Sequence, residues 1–167
     1  MTGPSRGAGE PRLEFAFELR LRFTRVQNIQ AMPSGAGRGA VYVDSGEFQG
    51  PRLRGKAVPN SGGDYALFRP DGVLAFDARY MLQEEDGTLI LLNNRGYLWG
   101  RGPDTMQRLR EMAFAGGPTV EPAEYYLRAT PTFEVETGPH DWLMRHVFVG
   151  FGERKADGNL LRYYTVL

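Results

Sequence analysis

The sequence predicts an all-β fold: a closed antiparallel β-barrel of about eight to ten strands with one helix. Residues 13–23 alternate apolar and charged side chains, which is typical of a long, half-buried strand. Residues 73–96 contain two apolar runs joined by Asp86-Gly87, a pair that favours a tight hairpin turn. Further short apolar runs follow, separated by turn residues and not by regular helices, so a parallel sheet is not expected.

The chain has 167 residues, the usual size of one domain with one core. We expect a flexible tail over residues 1–11 and a single barrel domain over residues 12–167. Twenty basic and twenty acidic residues cancel, so no net field favours nucleic acid or an anionic membrane. Cysteine is absent, which excludes disulfides, thiolate catalysis and cysteine-ligated zinc. The N-terminus lacks the apolar segment of a signal peptide, so we expect a cytoplasmic protein.

Four strands are predicted before residue 70. In residues 13–23 the odd-numbered positions are all leucine or phenylalanine, and they form the buried face of the first strand. Residues 27–39 are predicted to be a loop because they contain Pro33 and three glycines. Residues 40–48 form the second strand, in which Gly46 indicates a bulge or a close backbone contact. Shorter strands are predicted at residues 53–58 and 64–68, each followed by a turn.

The hairpin of residues 73–96 is followed by the one predicted helix. Asp104 can cap its first turn, with Gln107 three positions later, and apolar residues recur at helical spacing as far as Met112. Gly116-Gly117 ends the helix. Strands are then predicted at residues 125–136, 145–154 and 160–166, and Asp157-Gly158 joins the last two.

Several motifs in a fixed order resemble those of one protein family. They are GEFQGPRLRG at residues 46–55, RPDG at 69–72, DARY at 77–80, NRG at 94–96 and EYYLRATPTFE at 124–134, with DWL and GFGER nearer the C-terminus. From residue 13 onward the chain resembles the domain of unknown function 3237 family, also called uncharacterised protein family 0311. The resemblance implies a closed antiparallel β-barrel with one helix, and it implies no set of catalytic residues.

Charged and amide side chains share one face of the predicted hairpin. Asp77 and Arg79 lie on the same face of its first arm, and Asn93 and Arg95 on the same face of its second, because successive side chains alternate along a strand. We predict that this face lines the interior of the barrel. The two arginines would then hold an anionic or carbonyl oxygen of a ligand while Asp77, or Glu47 from a neighbouring strand, moves a proton.

Neighbouring strands would complete this polar lining. Tyr126 would donate a hydrogen bond to developing negative charge, and Arg128 and Glu47 would contact the ligand. Two alternatives stay open. The charged set could be a buried Asp–Arg pair that joins strands without chemistry. The inner face could also be reversed, because the opposite face of the first arm is apolar as well; it carries Phe76, Ala78, Tyr80 and Leu82.

Aromatic side chains are concentrated in the C-terminal half of the chain. Packing in the core is the commoner role of such residues. A subset near the mouth of a barrel would contact a planar or apolar ligand, and we predict that Tyr97, Trp99 and Trp142 do so.

Other kinds of site are not expected. The spacing of His140 and His146 does not direct both rings to one point, so no metal site is predicted. The glycine-rich residues 34–39 are followed by a strand, whereas a phosphate-binding loop opens a helix. Glu14 and Glu18 offset Arg20 and Arg22 on the first strand, which argues against a nucleic-acid surface.

These observations predict a barrel that binds a small organic molecule. As an enzyme it would be a cofactor-independent isomerase, cyclase or lyase acting on an aromatic or polyketide-like carbonyl or carboxylate compound. The rival hypothesis is a non-catalytic carrier, and a third is a structural or interaction protein whose interior is filled by side chains. No nucleic-acid or membrane partner is expected, and a homodimer is possible.

Overall fold

The fold is a closed antiparallel β-barrel with one α-helix, as predicted, in a computed structural model that describes residues 9–167. Most of the predicted tail, residues 1–11, lies outside the described residues. In chain order the elements are β1 (Leu13–Ile29), β2 (Gly37–Gln49), β3 (Arg54–Ala57), β4 (Gly63–Phe68), β5 (Leu74–Glu84), β6 (Leu89–Gly100), α1 (Thr105–Phe114), β7 (Tyr125–Val135), β8 (Phe148–Lys155) and β9 (Gly158–Val166). Short 3₁₀ helices occupy Pro122–Glu124 and Asp141–Met144.

The described strands close into a ring, in which β7 and β8 pair at two positions, Arg128 with Phe151 and Ala129 with Gly150. Going around the barrel, β1 pairs with β9, β9 with β8, and so on down to β5. Both β3 and β4 pair with β5 on one side and with β2 on the other, so these two short strands share one position. Pairing of β2 with β1 completes an eight-position ring. Closure satisfies the backbone groups that an open sheet edge would expose.

The β1–β2 hairpin is longer than the sequence predicted. Pairing continues to Ile29 opposite Arg38, so the loop covers residues 30–36 and not 27–39. The glycines in this region are accommodated in the strand because they allow close packing: a Cβ on Gly39 would lie 2.9 Å from the Phe68 ring. The close backbone contact predicted at Gly46 is confirmed, since a Cβ there would lie 2.5 Å from the carbonyl oxygen of Arg20.

The hairpin and the helix after it are confirmed with small differences. Asp86-Gly87 forms the turn between β5 and β6, and the Gly87 φ of 92° lies in the left-handed region that glycine favours. Asp104 precedes α1, but its side chain makes no capping hydrogen bond. Predicted residues 145–154 begin as strand only at Phe148, because the 3₁₀ helix Asp141–Met144 occupies the preceding chain. No described helix is long and apolar enough to span a membrane.

The interior of the barrel is divided into two unlike halves. One half is filled by aromatic rings in edge and tilted contacts, with ring centroids 4.9–6.3 Å apart, contributed by Phe17, Phe48, Phe133, Phe148 and Tyr163. Trp142, from the second 3₁₀ helix, packs against Phe148 in this half. The other half, toward α1, carries smaller inward residues such as Ala66 and Ala78 and contains a cavity. The half toward α1 is therefore the half that has space for a ligand.

Candidate functional site

The inner face of the hairpin is the reverse of the predicted one. Phe76, Ala78 and Tyr80 point inward and are buried, whereas the side chains of Arg79, Arg95 and Asp77 are 60%, 56% and 44% exposed on the outer face. The prediction that the charged face lines the barrel is therefore wrong. Burial of three charged groups would carry a large desolvation cost, and the apolar even-numbered face avoids that cost.

The other predicted polar residues of β2, β6 and β7 also lie outside the cavity. Glu47 is exposed and pairs with Arg22 at 2.7 Å. Asn93 lies beside Arg79 on the outer face of the sheet, in register with it. Tyr126 and Arg128 alternate with buried residues of β7, and the Arg128 guanidinium lies 5.2 Å from the centre of the Tyr126 ring.

The three predicted aromatic ligand contacts are likewise outside the cavity. Tyr97 is exposed, and Trp99 stacks on Tyr126 with ring centroids 5.2 Å apart. Trp142 is buried but belongs to the filled half of the barrel, where Arg52 lies 4.2 Å from its ring centre. Trp99 and Trp142 pack against the protein itself, which is the commoner role of aromatic residues.

The cavity toward α1 could hold a ligand inside the barrel. Its volume is about 270 Å³, just below the range of about 300–1,000 Å³ that is usual for small-molecule pockets. Most of its wall is apolar, from inward-facing residues of β1, β2, β4, β5 and β6 and from one face of α1. Five polar residues of the wall come from separate strands; they are Asn28, Asp64, Asn94, Arg154 and Asn159. Three more polar residues line the cavity; they are Gln30, Arg38 and Arg110. An apolar wall with a few convergent polar groups is the usual form of a ligand site.

Asp64 is the acidic residue of this wall. It follows Gly63 at the start of β4 and lies opposite Val41 on one side and Ala78 on the other. Its Oδ1 accepts a hydrogen bond of 2.9 Å from the backbone N–H of Asp77. Burial among apolar neighbours disfavours the carboxylate and raises the pKa of Asp64 from 3.8 to about 6, although the Asp77 N–H and Arg154 act against the shift.

Arg154 is the basic counterpart on β8. Burial lowers the pKa of its guanidinium, and attraction to Asp64 opposes that effect. Its Nη1 donates to Oδ1 of Asn159 at 2.9 Å. Of the ion pairs within 4.0 Å formed by residues 9–167, none joins Arg154 to Asp64. The two groups thus attract each other across the cavity without the direct contact of a structural salt bridge.

Several buried polar atoms around the cavity are not satisfied by the protein. Oδ1 of Asn94, Nε of Arg154 and the hydroxyl of Tyr80 have no hydrogen-bond partner within the described chain. The Tyr80 and Tyr163 hydroxyls lie close enough to interact, and burial, followed by this interaction, raises the pKa of Tyr80. Unpaired buried polar atoms also occur away from the cavity, in Asn93, His140 and Trp142. Those that line the cavity are groups with which a bound ligand could form hydrogen bonds.

Sequence analysis missed the interior polar residues. In β6 the inward face reads Leu92, Asn94, Gly96 and Leu98, and a single amide on an otherwise apolar face was the available signal. In β8, Arg154 ends an inward series that begins with Phe148 and continues through two glycines. Asp64 gave little signal, because an aspartate after two glycines is also typical of a turn.

His140 lies beside two carboxylates at the turn end of the β5–β6 hairpin. Glu84, Asp86 and His140 offer ligand atoms within 4.8 Å of one another. His140 Nε2 and Asp86 Oδ2 are 2.8 Å apart, and Asp86 Oδ1 accepts the backbone N–H of Thr88 at 2.8 Å. These hydrogen bonds lower the pKa of Asp86 to about 2. The cluster holds the β5–β6 turn against the chain before the second 3₁₀ helix.

Comparison with known proteins gives consistent results along the whole chain. A family model with the description "Protein of unknown function (DUF3237)" matches residues 11–166. A UPF0311 protein of Clostridium acetobutylicum is 33% identical over 129 residues, which cover 77% of each chain. Another UPF0311 protein, from Rhodopseudomonas palustris, is 29% identical over 159 residues, covering 94% of this chain and 99% of the relative.

Solved structures share the same barrel. A "beta-barrel like protein" of Acinetobacter baumannii has a TM-score of 0.80 and 27% identity, covering 98% of this chain and all of its own. A protein described as an enzyme from Penicillium herquei has a TM-score of 0.69 and 18% identity, covering 98% of this chain and 99% of its own. The second likeness is one of fold alone.

Proposed function

The chain belongs to the DUF3237 family, and we propose that its barrel binds a small organic molecule in the cavity and transfers a proton on it. The observation that carries this proposal is Asp64, a carboxyl group on an apolar cavity wall with a pKa of about 6. A general base is most effective when its pKa lies near the working pH, and an unperturbed aspartate is too acidic for that role.

Asp64 and Arg154 have complementary roles in this proposal. At neutral pH most Asp64 is a carboxylate, which can remove a proton from a carbon or hydroxyl of the ligand. The guanidinium of Arg154 favours negative charge, so it would stabilise an enolate or alkoxide oxygen formed in the same step. Both side chains line the cavity, so both can contact a ligand bound there. Proton removal beside a carbonyl fits an isomerisation, a cyclisation or an elimination.

The cavity favours a compact, mostly apolar ligand. Aromatic or polyketide-like carbonyl compounds match its apolar wall, and the few polar groups would orient their oxygen atoms. The enzyme from Penicillium herquei has a similar fold, which supports the proposal that a barrel of this kind can contain a catalytic site. The chemistry itself is argued from the site, because one fold hosts many functions.

Binding is tested with two matched alanine substitutions on β5. Ala78 lines the cavity, whereas Ala75 lies on the outer face of the same strand. A thermal-shift screen of aromatic acids and ketones against the unmodified protein identifies ligands, since a compound specific for the folded state raises its stability. We expect Ala78→Leu to remove the shift and Ala75→Leu to keep it. An equal shift in both variants would place the ligand outside the barrel.

Proton transfer is tested by exchange of ligand hydrogen for deuterium in D₂O, followed by mass spectrometry. We expect the protein to accelerate exchange at a carbon beside a carbonyl, with a rate that rises with pH through about 6 as Asp64 loses its proton. Asp64→Asn should slow exchange by about 100-fold or more. Unchanged exchange in a folded Asp64→Asn variant would remove Asp64 from this role.

The second candidate function is a non-catalytic carrier. The predominance of apolar side chains in the cavity wall favours it, because reversible binding needs little more than a shaped apolar site. A carrier would show the binding behaviour above, including its loss in Ala78→Leu. It would produce no exchange and no product, so the deuterium experiment separates the two functions.

A further inference from the structure

The mouth of the cavity is formed by one face of α1. Met106, Leu109, Arg110 and Phe114 all line it, and their spacing of three and four residues places them on one side of the helix. The guanidinium of Arg110 lies 5.7 Å from the centre of the Phe68 ring, at the end of β4. Arg110 is exposed, so it lies where the cavity opens to solvent.

Arg110 differs from its neighbour on the same helix. Arg108 pairs with Glu124 at 2.6 Å, and that ion pair neutralises its charge. Among the ion pairs formed by residues 9–167, none includes Arg110. Arg38 also contributes to the rim of the cavity, but its guanidinium donates to the backbone carbonyl of Tyr65 at 3.0 Å. Arg38 and Arg110 thus both keep their charge at the mouth, and Arg110 is the one whose guanidinium makes no hydrogen bond within the described chain.

The lining as a whole is positive. Asp64 is its single carboxylate within the described chain, against the guanidinium groups of Arg38, Arg110 and Arg154. Two large apolar side chains at the mouth, Ile29 and Phe114, are 56% and 59% exposed. An apolar rim around an unpaired cation matches a molecule with an apolar body and an anionic end.

We infer that Arg110 selects organic acids, holding a ligand carboxylate at the mouth while the apolar body of the ligand enters the barrel. This inference rests on the proposed function and names the class of ligand for that same site. A guanidinium suits a carboxylate because its N–H groups can donate two parallel hydrogen bonds. With the acid held at the mouth, the opposite end of the ligand lies nearer to Asp64 and Arg154.

The test compares a carboxylate with its neutral analogue. Naphthalene-2-carboxylate and 2-naphthamide have the same ring system, and their affinities can be measured by titration calorimetry on the full chain. We expect Arg110→Gln to weaken binding of the carboxylate by about fivefold and to leave binding of the amide within about twofold. Arg110→Lys should retain most of the preference, and added salt should reduce it in the unmodified protein.

Arg79→Gln is the matched control, since it removes an exposed arginine from the outer wall of the barrel. It should change neither affinity. An equal loss of both probes in Arg110→Gln, or an undiminished preference for the carboxylate, would overturn the inference about Arg110. If Ala78→Leu still binds both probes, or if the unmodified protein binds neither, binding inside the barrel is refuted. The inference about Arg110 is then refuted as well, because it depends on that binding.

Discussion

Asp64→Asn is expected to stabilise the folded protein at neutral pH, because it removes a charge that the cavity disfavours. The pKa of Asp64 rises from 3.8 to about 6 on folding, a difference of about two units. Each unit corresponds to about 1.4 kcal/mol, so ionised Asp64 lowers the free energy of unfolding by about 3 kcal/mol. This figure already includes the attraction between Asp64 and Arg154, since both contribute to the same pKa.

The sign of the effect follows from proton binding. Because the folded state holds the Asp64 proton more tightly than the unfolded state, stability falls as pH rises from about 4 to about 6. Above that range the full cost is present, and below it both states are protonated and the cost disappears. Asparagine is uncharged at every pH, and its carbonyl oxygen can still accept the Asp77 N–H that now bonds to Oδ1.

The assay is urea unfolding at about pH 4 and about pH 7.5, followed by tryptophan fluorescence. At the higher pH, the free energy of unfolding of Asp64→Asn should be greater than that of the unmodified protein by about 3 kcal/mol. At the lower pH the two free energies should be nearly equal. Asp77→Asn serves as the control, because that carboxylate lies on the outer face. A variant of equal or lower stability at pH 7.5, or a difference independent of pH, would refute the electrostatic reasoning. If Asp64→Asn is more stable than the unmodified protein, Asp64 lowers stability, which is expected of a residue kept for function.

Three further predictions concern other parts of the barrel. Asp86→Asn should lower stability at neutral pH, because hydrogen bonds from Thr88 and then from His140 stabilise the charged form of Asp86. The difference in stability should fade as pH falls from 3.8 to about 2. Acid unfolding followed by circular dichroism measures this difference. Gly96→Ala should cost about 1–3 kcal/mol in urea unfolding, since its Cβ would lie 2.0 Å from the Arg128 carbonyl oxygen. Arg79→Gln should change stability by less than about 1 kcal/mol, as expected for an exposed ion pair.

The strands could be predicted because the main signals are local. Alternation in residues 13–23, the Asp86-Gly87 turn and the glycines after α1 all report on neighbouring residues, and the structure has strands, turn and helix end at those places. In β1, however, the alternation of the sequence does not predict the burial of every residue. Phe17 and Leu19 are fully buried, whereas Phe15 is 40% exposed, because a register shift follows it in the pairing with β9.

The position of the site could not be predicted in the same way. Both faces of β5 contain apolar residues, and the choice between them depends on which face meets the other strands across the barrel. Selecting the face with Asp77 and Arg79 ignored the cost of burying several charges together. Asp64 and Arg154 are 90 residues apart in sequence and share the cavity only through closure of the barrel.

Because the interior is divided into an aromatic half and a half with a cavity, substitutions in the two halves should have different effects. Substitutions among the interlocked rings change the folding free energy directly, because those rings have no space to rearrange. Substitutions around the cavity change the shape and charge offered to a ligand, while the ring-filled half continues to hold the strands together. Related barrels can therefore diverge in the compounds they accept and keep one architecture.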